Sequence, residues 1–349
     1  LTPEVFPPTL YEPGRYALAA GGKLLRPVLL LISCEAVGGK IEDALDAAVA
    51  LEMVHTFSLV HDDIMDNDEL RRGRQTVHKK WDTALAILAG DAILIKAYDA
   101  FRRVDPRHLP RAFAEFNQAI LEVCEGQALD MAFEQRRDVT VDDYFYMIDR
   151  KTGRVFSAAC ALGALLGGGS EAQIDAMRTF GSRIGRAFQV QDDLLDLTAD
   201  QALLGKDIGS DLQEDKKTFL MLYAREHADE TQNQRLQALQ QKAQLDDADL
   251  QQAIALLTEI GAVSAARQEI DAALNEAFEA LNLLTAAKPR AALAVGRFYP
   301  QSGILAPCAA SIGCWFFSSC CLYLPKRPDC CCPASCSSPA HSKPRCAKA

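Results

Sequence analysis

Two short acidic strings hold the residues best suited to chemistry. Asp62, Asp63 and Asp66 form the first, within HDDIMD, and Asp192, Asp193 and Asp196 form the second, within QDDLLD. On an α-helix, residues four apart share a face. Asp62 and Asp66 therefore point the same way with Asp63 beside them, and the second string repeats the pattern. Crowded carboxylates repel one another unless a cation sits among them. Mg²⁺ suits such a site, with Mn²⁺ as a substitute, and leaves positions open for phosphate oxygens. A lone acidic cluster is more often a solvated helix face. Here the cluster recurs after a separation of 130, at residues 62 and 192, and each copy lies in apolar sequence (Ser58-Leu59-Val60 before one, Leu194-Leu195 inside the other), which favours a pocket. Arg71 and Arg72 follow the first string closely, and guanidinium groups make forked, charge-assisted hydrogen bonds to phosphate. Metal ions and a polyphosphate are the ligands these residues point to.

The paired strings resemble the two aspartate-rich DDxxD motifs of the trans-isoprenyl diphosphate synthases. Further matches follow in family order: GGKLLRP at 21–27, His55, RRG at 71–73, GQALD at 126–130, KTG at 151–153 and GKDIGSDLQEDKKT at 205–218. The resemblance spans about residues 7 to 295. It implies an all-α fold, a single large helical bundle with a central active-site cavity, and a transferase that joins isopentenyl diphosphate to an allylic diphosphate. It further implies that Lys23, Arg26, His55 and Arg72 hold the isopentenyl diphosphate. Arg71, Lys151, Thr152, Gln189 and Lys206 would then face the allylic diphosphate, with all six aspartates at the metal. Leu24 stands where the family usually has Arg, which removes one basic group. Asp215 replaces a common glycine, so Lys216 and Lys217 are expected on the rim. A homodimer in the cytoplasm is the family expectation.

The helices that must position these residues are legible without the resemblance. From Arg111 to Lys288 there is no proline, and apolar residues recur at helical spacing, as in Leu121, Cys124 and Ala128 or Ile254, Leu257 and Ile260. That pattern makes the chain all-α. Residues 1–13 carry four prolines and read as an irregular lead-in, followed by a helix from Tyr16 to Ala20. Lys23 and Arg26, three apart, are expected on one helical face, and Asp105 to Pro110 reads as a loop. Ala84–Tyr98 reads as a core helix.

The chain has 349 residues, 49% of them hydrophobic and 24% charged, enough for a large core. A formal net charge of −10 argues against a nucleic-acid partner. Leu1 in place of an initiator Met, with no signal peptide visible, reads as an incomplete start. Cys34, Cys124 and Cys160 read as packing residues in a reduced compartment.

Composition changes abruptly near residue 298. Residues 298–349 hold seven prolines, nine cysteines, one acid and five Lys or Arg, a net of +4 that leaves −14 for the rest. We therefore divide the chain into a synthase domain, 1–297, and an atypical Cys/Pro-rich tail, 298–349, read as non-native or disordered. Gly303 to Leu324 is a run of 22 uncharged residues, but Pro307 and several small residues weaken a membrane span, and membrane contact is not expected. The CCC cluster lacks paired CxxC spacing for zinc.

Two other readings are weighed. A terpene synthase resembles this fold but typically lacks a second full DDxxD and the GGKxxRP segment. A non-catalytic subunit of a heteromeric synthase usually loses motif aspartates, and this chain keeps all six. Product length is expected to depend on bulk upstream of the first Asp. Phe57 lies five residues before Asp62 and small Ser58 four before, so a single partial floor points to a C20 product, geranylgeranyl diphosphate. Farnesyl diphosphate and longer products are the alternatives.

Overall fold

In the computed structural model, which describes residues 6–198, 212, 216–242 and 246–284, the described residues are built mainly into helices. In order they are α1 (Pro8–Leu18), α2 (Leu25–Ala36), α3 (Ile41–Met65), α4 (Val77–Lys80), α5 (Thr83–Phe101), α6 (Leu109–Glu134), α7 (Val141–Ile148), α8 (Arg154–Leu166), α9 (Glu171–Thr198), α10 (Phe219–His227), α11 (Glu230–Gln240), α12 (Asp247–Ile260) and α13 (Ala262–Ala280). A π-helical turn, Asp149–Gly153, joins α7 to α8, and a 3₁₀ turn, Leu281–Leu283, follows α13. Between α3 and α4, strands β1 (Leu70–Arg71) and β2 (Arg74–Gln75) form a two-stranded antiparallel hairpin.

The bundle is organised around α8. Its sequence, RVFSAACALGALL, is apolar on every side, and every residue from Val155 to Leu166 is buried. A helix that is hydrophobic all round has no solvent face to offer, and α2, α3, α6 and α9 pack around this one. Each fully buried Leu or Phe there contributes about 1.5–3 kcal/mol. The two longest helices, α6 aside, are α3 and α9, with 25 and 28 residues, and each ends in one of the acidic motifs. Glu42 and Asp43 sit in the first turn of α3, where acidic groups favour the positive helix end. A second apolar cluster ties α7, α9, α10, α12 and α13 together around Tyr144, Met147, Val190, Leu220 and Leu257.

Several local expectations need correcting. The first helix begins at Pro8, not near Tyr16, because proline at the first helical turn gives up no hydrogen bond. Lys23 is not on a helix: Leu24 takes a left-handed φ of 51° and α2 starts at Leu25, so Lys23 and Arg26 do not share a helical face. α6 starts at Leu109, taking Pro110 into its first turn. Cys34 and Cys160 are buried as packing residues, but Cys124 is exposed. Leu121, Cys124 and Ala128 form an apolar stripe facing outwards.

No helix among the described residues is long and apolar enough to cross a membrane. Lys206, Asp215 and the tail from 298 onward lie outside the described residues.

Candidate active site

The last turns of α3 carry the first acidic motif, and its aspartates go to different places. Asp62 is half-buried and Asp66 is exposed on one side, whereas Asp63 is buried at 4% exposure. The Asp63 Oδ1 accepts a hydrogen bond of 2.6 Å from Arg71 Nε, and Arg71 Nη2 also contacts this carboxylate. Arg71 reaches Asp68 as well, at 3.0 Å, and lies 3.7 Å from Asp62. Thr76 Oγ1 donates to the Asp68 carbonyl at 2.7 Å, which pins the hairpin to the end of α3. Burial pushes the Asp63 carboxyl up to about 6, while the Arg71 guanidinium pulls the other way. Arg71 itself is held above its usual range by Asp63 despite burial. The pair is thus ionic at neutral pH.

Lys151 occupies the mouth of the first motif. Its Nζ lies 2.5 Å from Asp130 and 3.4 Å from Asp62. Burial works to lower its pKa, but the carboxylates of Asp62, Asp130 and Asp66 outweigh it and the pKa is raised. Asp66 is pushed up to about 6, first by desolvation and then by the nearby Asp62 charge. An ammonium drawn among these carboxylates marks a place that favours positive charge. Among the described residues no group of three or more His, Cys, Asp or Glu closes into a cage for a metal ion. The donor set nonetheless fits Mg²⁺, which commonly takes one or two carboxylates and completes its shell with water and substrate phosphates.

What delivers Lys151 is the π-helical turn Asp149–Gly153, a feature often found at functional sites. Thr152 and Gly153 in it are buried. Gly126 on α6 lets this turn approach: a β-carbon there would lie 2.3 Å from the Lys151 backbone nitrogen. Arg186 anchors the turn from α9 through Asp149, at 3.1 Å from its Nε.

The second motif, on α9, divides its aspartates likewise. Asp192 is exposed, Asp196 is half-buried, and Asp193 is buried at 6% exposure. The Asp193 carboxylate accepts hydrogen bonds from Tyr144 Oη at 2.7 Å, Gln189 Nε2 at 3.1 Å and the Phe219 backbone N–H at 3.1 Å. Gln189 in turn accepts from Thr152 Oγ1 at 2.8 Å, so three predicted site residues meet here. Lys216 is half-buried and close enough to act on Asp66, while Lys217 is 8% exposed and buried, not on the rim.

A third group gathers around His55 on α3. Arg26 Nη1 lies 3.2 Å from His55 Nε2 and its guanidinium stacks 4.7 Å over the Phe156 ring. Arg72, with a φ of 56°, lies against Gly22, where a β-carbon would come within 2.8 Å of its Nη1. Burial and then the charges of Arg26 and Arg72 hold His55 well below the usual imidazole range, so the ring is neutral. Glu52, one turn earlier, also feels both arginines, which work against the rise that burial causes. Lys23 is exposed at the edge of this group. Phe57 is buried on α3, edge-on to His61 at 4.8 Å, and the Ser58 hydroxyl donates to the His55 carbonyl at 2.9 Å.

The model of the polyprenyl synthetase family matches residues 7–257. The chain belongs to this family. The short chain isoprenyl diphosphate synthase of Methanothermobacter thermautotrophicus is 42% identical over 293 residues, covering 84% of this chain and 90% of that one. The crystal structure of geranylgeranyl pyrophosphate synthetase from Pyrococcus horikoshii superposes with a TM-score of 0.81 at 41% identity, over 86% of this chain and 92% of that one. A structure of the Corynebacterium glutamicum geranylgeranyl pyrophosphate synthase, complexed with isoprenyl diphosphate and magnesium, gives a TM-score of 0.75 at 28% identity over 83% and 91%. As a polyprenyl synthetase the chain is a transferase with the isoprenoid synthase fold, and its family uses a divalent metal.

Sequence reasoning passed over Asp68, Tyr144 and Glu52, and gave Asp130 no role. Asp130 had a signal in the quoted GQALD, since a carboxylate one turn from Gly126 shares its approach to Lys151.

Proposed function

We propose that this cleft condenses isopentenyl diphosphate with an allylic diphosphate to give geranylgeranyl diphosphate, with Mg²⁺ as the metal. The observation that carries the reading is the pairing of two charged centres on one helix. The Arg26–His55 contact and the Lys151–Asp62 contact involve α3 residues seven apart, about 10 Å along the axis. That spacing suits two diphosphates lying side by side.

In this reading Asp62, Asp66 and Asp192, with Asp196 beside them, would hold the metal, which would stabilise negative charge building on the departing diphosphate. Lys151 and Arg71 add positive charge at the same oxygens, and Thr152, Gln189 and Lys206 fix the allylic group. The allylic C–O bond breaks with its electron pair going to the diphosphate. The double bond of isopentenyl diphosphate, held by Lys23, Arg26, His55 and Arg72, then forms the new carbon–carbon bond. The released diphosphate takes the final proton, so no protein base is required. Neutral His55 adds a polar contact without competing with the arginines for the anion. Apolar residues around the cleft would keep water from the cation. Asp63 and Asp193 serve the site from behind, holding Arg71 and Gln189.

Phe57 is proposed as the floor of the product channel. A homodimer is supported by exposed Ile87, Leu88 and Ile95 on α5 and Phe113 and Leu121 on α6, helices joined by the Tyr98–Phe113 ring contact at 5.8 Å. Free thiols at Cys34, Cys124 and Cys160 suit a reduced, cytoplasmic setting. The synthase domain, 1–297, is proposed to work without the tail, so a chain ending at 297 should keep full turnover.

The test is turnover of labelled isopentenyl diphosphate with geranyl or farnesyl diphosphate and Mg²⁺. A labelled C20 product, lost in Asp62→Ala, is expected; no condensation with any allylic diphosphate would refute the reading.

A further inference from the structure

Granted the prenyl-transfer reading of the cleft, we propose that Tyr144 is a positioning residue for its allylic half, acting through the buried carboxylate of Asp193. Tyr144 is 2% exposed on α7, a helix whose start is fixed by a capping box between Thr140 and Asp143. Its ring packs edge-on to Phe145 at 5.5 Å and tilted to Phe219 at 6.2 Å. A buried tyrosine hydroxyl needs a partner, and here that partner is a junction. The Asp193 Oδ2 takes both the Tyr144 hydroxyl and the Phe219 N–H, while Oδ1 takes the Gln189 amide. Gln189 then holds Thr152 in the π-helical turn next to Lys151.

One carboxylate thus sets three parts of the cleft in register. They are α9 with the second acidic motif, the turn carrying Lys151 and Thr152, and the start of α10 with residues 216–218 ahead of it. Phe219 opens α10 and Thr218 caps it, so the Asp193–Phe219 bond also places Lys216, whose charge acts on Asp66. Removing the Tyr144 hydroxyl takes away one of the hydrogen bonds that set the carboxylate's angle about its Cβ–Cγ bond, and so loosens the line that orients Gln189 toward Thr152. The His55 group on α2 and α3 is joined to this junction by none of the hydrogen bonds described. The effect should therefore fall on one substrate and spare the other.

The test is Tyr144→Phe in the full chain, with KM measured separately for the two substrates. The allylic KM should rise about tenfold, as for one lost hydrogen bond to a charged group, while the isopentenyl diphosphate KM stays within about twofold. The thermal stabilisation given by Mg²⁺ with inorganic pyrophosphate should shrink, and 4-aminophenylalanine at 144, which keeps a donor, should restore both readouts. A lower melting temperature with both KM values and the pyrophosphate shift unchanged would reduce Tyr144 to a packing residue and overturn the proposal. Equal rises in both KM values would overturn it too. If Tyr144→Phe does not fold, Asp193→Asn must show the same split between substrates, and an unsplit result there counts against it. A parent chain without turnover would instead count against the prenyl-transfer reading, and the pyrophosphate shift would still decide the role of Tyr144.

Discussion

The two acidic motifs have the same spacing, yet their buried middle residues are satisfied by different chemistry. Asp63 meets a cation, Arg71, delivered by the short hairpin that follows α3. Asp193 meets a hydroxyl, a side-chain amide and a backbone N–H drawn from α7, α9 and α10. In both motifs the first aspartate is the more exposed of the adjacent pair, and the second faces protein. Adjacent residues on a helix lie about 100° apart, so one of each pair must turn away from the cleft. The motif therefore combines a more exposed charge with an internal anchor. The anchors differ in reach: Asp63 secures one hairpin, while Asp193 joins elements distant in sequence.

The largest effect should come from the aspartates proposed to face the ligand. Asp62→Ala or Asp192→Ala should lower kcat by about a thousandfold or more, the scale for losing electrostatic stabilisation in the transition state, with helical content by circular dichroism unchanged. Parent-like turnover in either would break the division.

Next come the anchors. Asp63→Asn takes from Arg71 its buried partner and leaves it Asp68 and Asp62, and breaking a buried ion pair costs on the order of 3 kcal/mol. Asp193→Asn turns an amide N–H toward donors and leaves a buried group unsatisfied, at about 1–3 kcal/mol. Chemical denaturation of the free proteins would rank them, and equal, negligible costs would erase the contrast.

Acidity gives a third handle, specific to the first motif. Asp63 and Asp66 both sit at about 6, above their unfolded range near 3.8. A raised carboxyl pKa means the folded state holds more protons, so this contribution to stability is present at low pH and lost as pH rises through about 6. Metal-free protein should thus gain stability from these two groups between pH 7 and 5, while Mg²⁺ affinity falls as Asp66 takes a proton. Melting curves with and without Mg²⁺ across that range would show the two trends diverging, and parallel trends would contradict it.

The smallest change is in product, not rate. Phe57→Ala should shift the product by about one isoprene unit as the channel deepens by a little over a helical turn. Chromatography of the products checks this, and an unchanged distribution would leave Phe57 as core.

Much of this arrangement was legible before the structure. Proline-free helical periodicity fixed the all-α class, and among the Lys, Arg, His and Asp singled out in the sequence, Arg71 meets Asp63, Lys151 meets Asp62 and Arg26 meets His55 in the structure. Four things were not readable. Spacing treats Asp62 and Asp63 alike, because burial depends on what packs beside the helix, and Arg71 arrives from a hairpin formed by a two-residue strand pair too short to signal itself. The π-helical turn at DRKTG leaves no trace in a 3.6-residue period. The stripe of Leu121, Cys124 and Ala128 reads as core by hydrophobicity but is exposed in the single chain, since periodicity shows that a face is apolar and not what covers it. Tyr144, two turns before Lys151, looked like one more apolar residue until its hydroxyl met Asp193.

The most direct test of the division within a motif compares Asp62→Asn with Asp63→Asn by thermal melting, free and with Mg²⁺ plus inorganic pyrophosphate. Asp62→Asn should melt close to the parent when free, because its repulsion of Asp66 and its attraction to Lys151 and Arg71 are lost together, and should lose the ligand-induced rise. Asp63→Asn should melt several degrees lower when free, at about 2 °C or more per kcal/mol, and still rise with ligand. The reverse pattern, a destabilised Asp62→Asn that keeps its rise beside a stable Asp63→Asn that loses it, would contradict the account.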